Sequence, residues 1–176
     1  MKTAFNNKIA FTLCIAALST SALADTDTST LTVGATVQNN CAIGNGALSF
    51  GTRTLSVTKG AGTAGTIADV DADSGTSISI ICTNGASAAI NADTGANANS
   101  GVRRMVSGLN FLAYELYTDA GRATVLDGTT GSIAYTGTGA ATTTTAIYGR
   151  IAGADLQAAP AGVYADTVAL TVTYTP

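Results

Sequence analysis

The sequence predicts an all-β domain of the sandwich kind, and three observations carry that prediction. The first is the stretch 30–41, where Leu31, Val33, Ala35 and Val37 are apolar and Thr30, Thr32, Gly34 and Thr36 are small or polar. Period-two alternation marks a strand with one buried face. The Thr and β-branched content suits a strand better than a helix. The second is a matching stretch near the C-terminus, where Val168, Leu170, Val172 and Tyr174 alternate with Thr167, Ala169, Thr171 and Thr173. The third is spacing: strand-like runs recur about every 10–20 residues with turn chemistry between them. Strong helix formers are scarce, while Thr, Ala and Gly dominate.

Residues 1–24 read as a secretory signal peptide. Lys2 and Lys8 give a positive start, residues 9–18 are mostly apolar, and Ala22-Leu23-Ala24 is a cleavage site of the small-x-small type. The apolar run falls well short of the roughly 20 residues a membrane span needs. Residues 25–40 then form an N-terminal extension, and residues 41–176 the β-sandwich domain. The extension's alternating strand, free at the start of the mature chain, reads as one made to be given to another molecule. The mature length is one domain's worth, enough to bury roughly 68–70% of the unfolded surface. Of eight basic side chains, Lys2 and Lys8 leave with the signal; six remain against eleven acidic ones, a net charge of −5. There is no basic patch, which argues against nucleic acid as a partner.

Cys14 belongs to the signal, leaving Cys41 and Cys82. An even pair in an exported chain reads as one disulfide. On the chain-entropy account a loop of this size stabilises the fold by roughly 4 kcal/mol. Free thiols are the alternative reading. A zinc site has too few ligands, since the chain has no His and no third cysteine in the domain.

Along the domain, residues 47–51 (Ala-Leu-Ser-Phe-Gly) predict a short strand, and residues 59–76 a loop with a weak strand near 67–70. Residues 77–82 alternate again, and Thr83-Asn84-Gly85 is a turn signal. A weak strand at 88–92 precedes a polar segment at 93–101. Residues 109–117 form the most aromatic run, with Leu112, Tyr114 and Leu116 on one face and Phe111, Ala113, Glu115 and Tyr117 on the other. Residues 128–145 are nearly all small, with Ile133 and Tyr135 as the large side chains. A strand at 146–151 and a turn at Pro160-Ala161-Gly162 lead to the final strand. No helical period of useful length appears.

No residue constellation predicts catalysis, a metal or a cofactor. Asp69, Asp71 and Asp73 match the first three ligand positions of a calcium loop, but Ser74 stands where Gly is required and Ile80 where Glu is. A solvated acidic loop is the expectation. Without His, a Ser or Cys nucleophile lacks its usual base. Glu115 is the only Glu, and nothing marks two of the ten Asp residues as a glycosidase pair. No phosphate-cradling Gly loop occurs. Arg103-Arg104 reads as a solvated turn.

Several segments in order resemble the spore-coat-U-like family, which includes the pilus subunits of the archaic chaperone–usher pathway of the Csu type. They are the alternating strand before Asn40-Cys41, Leu48-Ser49-Phe50-Gly51, and Ile78-Ser79-Ile80-Ile81-Cys82. Tyr114-Glu115-Leu116-Tyr117-Thr118-Asp119, Tyr148-Gly149-Arg150-Ile151, and the run from Gly162-Val163-Tyr164 to Tyr174 complete the set. The resemblance covers nearly all of the mature chain; residues 128–145 depart from it. It implies an incomplete immunoglobulin-like β-sandwich, lacking its last strand and completed by a donor strand. The sequence stops at Pro176, just after the strand containing Tyr174, so no further strand is expected. The resemblance implies a structural subunit of a surface pilus or fimbria, in adhesion and biofilm formation, and no enzyme. Implied partners are a periplasmic chaperone, an outer-membrane usher, and identical or related pilin subunits in a head-to-tail polymer. The donor residues would be Leu31, Val33, Ala35 and Val37, and Val168, Leu170, Val172 and Tyr174 would form the groove edge. The alternative is a self-contained secreted coat or matrix protein of the spore-coat-U type, its N-terminal strand folded back into its own groove.

Overall fold

The computed structural model describes residues 26–53, 67–74, 78–139 and 141–176. The chain falls into two units, Met1–Ala35 and Thr36–Pro176. The signal peptide expected at 1–24 lies outside the described residues. Those of the first unit, 26–35, form no strand, and Leu31 and Val33 are each 84% exposed. The alternation of 30–41 therefore prepares a strand face without making a strand. A strand is defined by its ladder, and none of residues 26–40 joins one.

Among its described residues the second unit is all-β apart from one short helix. Its strands are β1 (Cys41–Ile43), β2 (Val70–Asp73), β3 (Ile78–Cys82), β4 (Ser87–Ala92), β5 (Arg104–Ser107) and β6 (Asn110–Ala113). β7 (Glu115–Tyr117), β8 (Ile133–Thr136), β9 (Thr143–Thr145) and β10 (Tyr148–Ile151) follow, then α1 (Gly153–Ala158) and β11 (Leu170–Tyr174). They pair antiparallel into the sheets β1-β3-β9, β2-β10-β7 and β11-β4-β8 and the hairpin β5-β6.

Alternation explains which faces are buried. In β3, Ile78, Ile80 and Cys82 are buried; in β4, Ala88, Ile90 and Ala92 are. Two clusters result. One gathers Phe50, Ile78, Leu112, Tyr114, Leu116, Leu126, Ile147 and Ile151; the other gathers Ile80, Cys82, Ala86, Ala88 and Ile90. Cys41 sits directly opposite Cys82 on β3, with Cα atoms 4.1 Å apart, and the two are disulfide-bonded. Mass spectrometry of the exported protein is expected to find it two hydrogens lighter than the dithiol form. Free thiols in that material would contradict this.

Several sequence expectations need correction. Residues 47–51 alternate as expected, Phe50 being buried, yet form no strand. The run 109–117 is two strands, not one. Its expected inward face is right, with Leu112, Tyr114 and Leu116 buried, but the ladder breaks at Tyr114. β6 turns back on β5 through Gly108 and Leu109, while β7 pairs with β10. The chain thus changes sheets at a corner, as sandwich strands do. The weak strand near 67–70 lies later, at β2, and carries part of the acidic run. Residues 128–145 hold β8 and β9. The helix α1 went unforeseen because six residues are too few to show a period; it ends just before the Pro160 turn.

The charged residues depart furthest. Asp71 lies in a ladder opposite Arg150, which donates to it at 2.7 and 3.1 Å, and Arg122 approaches it at 3.1 Å. The Arg150 hydrogen bond holds the Asp71 carboxyl below its ordinary range. Asp69 accepts from the Gly153 N–H at the start of α1. The acidic run is thus largely a strand with ion-paired carboxylates, not a loop, and its acidic side chains remain exposed as expected. Arg103 is no solvated turn: it is 2% exposed. Its guanidinium donates to the carbonyls of Ala92, Asp93 and Leu126 and pairs with Glu115. Arg104, beside it, lies over the Phe111 ring at 4.2 Å.

Candidate functional site

The site is a groove beside β11. β11 pairs with β4 on one side only and ends the order of its sheet. The segment leading into it shows which way its backbone groups point. Ala165 exchanges both backbone hydrogen bonds with Val106, and the carbonyls of Thr167 and Ala169 accept from Ala96 and Asp93. Alternate residues of an extended chain point their N–H and C=O groups to opposite edges. The odd residues therefore face β4 and β5. Those of Val168 and Leu170 face the other side, where no strand of the described residues joins the sheet.

A cavity of about 380 Å³ opens against this segment. One wall is Tyr164, Ala165, Asp166, Val168 and Leu170. Gly46, Ala47, Leu48 and Phe50 also line the cavity, together with Ile78, Leu116 and Ile147. Leu48 and Phe50 rest on β10 at Gly149. A Cβ there would lie 2.8 Å from Phe50 Cζ and 3.1 Å from Leu48 Cδ2, so only glycine lets them sit this close. Phe50 meets the Tyr114 ring edge-on at 6.3 Å between centroids.

The groove's polar feature is satisfied internally. Tyr114 donates its hydroxyl to Asp166 at 2.7 Å, and Asn97 donates to Asp166 from both its backbone and its side chain. Burial, then the Asp166 hydrogen bond, push the Tyr114 phenol well above its ordinary value. A phenol so held stays protonated and serves as a fixed donor. The arrangement holds no base poised toward the cavity and no group of carboxylates, thiols or imidazoles able to hold a metal ion among the described residues. It is a largely apolar groove against a strand that ends its sheet among the described residues.

The groove-edge residues named from the sequence divide. Val168 and Leu170 line the cavity, whereas Val172 and Tyr174 pack on the second cluster, beside Cys41 and Ile43. On the extension, Val37, in the second unit, is 81% exposed, like Leu31 and Val33 in the first. Sequence reasoning missed the lining at 46–50 and the polar end at Tyr164 and Asp166. The signal for Tyr164 and Asp166 was present: their even numbers continue the alternation of Val168 and Leu170.

No curated protein matches the chain. Among solved structures it is similar to the chaperone–tip adhesion subunit pre-assembly complex, CsuC–CsuE, of the archaic chaperone–usher Csu pili of Acinetobacter baumannii. The TM-score is 0.44 and the identity 20%, over 78% of this chain. This chain spans 40% of the length of that one. The model of the spore coat protein U domain matches residues 27–171, nearly the whole of the described chain and the residues lining the groove, and the protein belongs to that family.

Proposed function

We propose that the protein is a structural subunit of a surface pilus or fimbria, assembled by donor-strand exchange through a chaperone–usher pathway, in adhesion and biofilm formation. The observation that carries this is the pairing of opposites within one sequence. One segment is an apolar groove beside an open strand edge; the other is an alternating apolar segment with exposed side chains. On this reading residues 41–176 are an immunoglobulin-like sandwich lacking one strand, and residues 25–40 are the donor extension. An open edge and exposed core favour pairing with another chain. In strand addition, backbone bonds supply affinity and alternate side chains specificity. Burying Leu31, Val33, Ala35 and Val37 contributes roughly 5–8 kcal/mol gross. The contact is head-to-tail and propagates as a filament. Before assembly a periplasmic chaperone would fill the groove, and an outer-membrane usher would exchange it for the next subunit's extension.

The test is the assembly state of the exported full-length chain. Co-expressed with its chaperone and usher it is expected to form a ladder of multimers that survives detergent without heating. Without the chaperone it is expected to aggregate or be degraded. A stable, cooperatively melting monomer made without any partner would overturn this reading. It would favour the self-contained coat protein with its own strand folded back.

A further inference from the structure

Alternation alone cannot place a donor strand. A one-residue slip turns every apolar side chain outward and is rejected. A two-residue slip keeps the face and exchanges only one apolar position for Ser29 or Asn39, the next odd residues on either side of the apolar four. Something in the groove must reject that slip if the register is unique.

The two ends of the groove differ. The cavity lining runs from Tyr164 to Leu170 and includes neither Val172 nor Tyr174. Beyond Leu170, toward the C-terminal end of β11, the chain's own residues lie against the strand. Asn39 Nδ2 donates to the Thr175 carbonyl at 2.8 Å, and the Tyr174 hydroxyl donates to Asn40 Oδ1 at 3.3 Å. Asn40 is itself held, its N–H donating to Thr83 Oγ1 at 3.0 Å and its carbonyl accepting from the Thr83 N–H at 2.9 Å. The next residue, Cys41, is bonded to Cys82, and β1 lies alongside β11. The clasp is therefore anchored covalently, one residue from its end. Val172 and Tyr174 pack beneath it on the second cluster and not into the cavity.

We propose that Tyr174, hydrogen-bonded to Asn40 and followed by the Thr175 carbonyl that Asn39 holds, is the register stop of the groove, so that residues 31–37 of a second copy seat in one register only. This rests on the reading above that such a strand fills the groove. It makes Tyr174, with Asn39, a positioning residue for assembly. The slot it leaves, from Tyr164 to Leu170, presents four alternate wall residues, Tyr164, Asp166, Val168 and Leu170, to the four apolar donor positions.

Disulfide mapping of the assembled polymer tests this. Val168→Cys is combined, in the full-length exported chain, with one cysteine at position 31, 33, 35 or 37, and intermolecular cross-links are quantified after oxidation. With the clasp intact, one donor position is expected to cross-link about tenfold more than those two residues away. With Tyr174→Ala, a position two residues away is expected to rise to within about threefold of the first. Asn39→Ala, which removes only the bond to Thr175, should shift the ratio the same way by a smaller factor; it decides the matter if Tyr174→Ala yields no polymer. Tyr174→Phe keeps the ring and should retain the dominant partner. A single dominant partner in both Tyr174→Ala and Asn39→Ala overturns the stop and leaves the donor reading standing. No cross-link at any of the four positions with the clasp intact overturns the donor reading, and the stop with it.

Discussion

Val33→Asp is expected to abolish surface fibres while leaving the subunit folded on its chaperone. In its own subunit Val33 is 84% exposed, so a carboxylate there meets water and costs the fold nothing. On the donor-strand reading, the same carboxylate in a neighbour's groove would face a lining that includes Val168, Leu170, Leu48 and Phe50. An unpaired buried charge is costly enough either to be neutralised or to prevent docking. Thr32→Asp places the same charge on the opposite face of the strand, and fibres should persist. Electron microscopy of the cell surface reads the outcome, with chaperone co-purification as the folding control. Equal loss of fibres from both substitutions would show that the inserted face is misassigned. Normal fibres from Val33→Asp would show that this segment does not polymerise the subunits.

Arg103→Ala should be the most destabilising single substitution within the domain. Its guanidinium joins the carbonyls of Ala92 and Asp93, at the end of β4, to that of Leu126 and to Glu115 on β7. Truncation leaves those buried acceptors unpaired, and breaking a buried charged network costs about 3–5 kcal/mol. For a domain of this size that is roughly 6–20 °C in melting temperature. Arg103→Lys should recover only part of it, because an ammonium cannot span acceptors that a planar fork reaches together. Glu115→Gln should be mild, since the three carbonyls keep their donor and an amide oxygen still accepts. Melting of the chaperone-bound subunit or of purified fibres measures both. Equal losses from Arg103→Ala and Glu115→Gln would place the stabilisation in the ion pair instead of the carbonyls. Near-native melting of Arg103→Ala would refute the network's role.

These two predictions come from different levels of information. Val33 and Thr32 are assigned opposite faces by alternation, which is visible in the sequence itself. The same signal correctly placed Leu112, Tyr114 and Leu116 in the core, Ile78 and Ile80 in the core, and Leu170, Val172 and Tyr174 on the more buried face of the last strand. Side-chain direction along an extended chain is a local property with a period of two, so neighbouring residues suffice to reveal it. The cysteine pair was legible for a similar reason: in an exported chain its chemistry has one obvious partner.

Charge partners and strand neighbours are not local, and only the tertiary structure decided them. Arg150 and Asp71 are 79 residues apart in sequence, and Arg103 bonds to groups 10 to 23 residues away. Nothing in the dipeptide Arg103-Arg104 distinguishes a guanidinium sealed among carbonyls from one in solvent. The acidic run at 69–73 looked like a solvated loop because the arginines that pair with it lie far along the chain. The break at Tyr114 was hidden because alternation continues through it; the ladder changes, not the side-chain faces. The groove is the same kind of fact. The sequence determined that 31–37 and 168–174 each present one apolar face. That the second splits between a cavity and a clasp depends on where β1 and residues 46–50 come to lie, which packing across the fold decides.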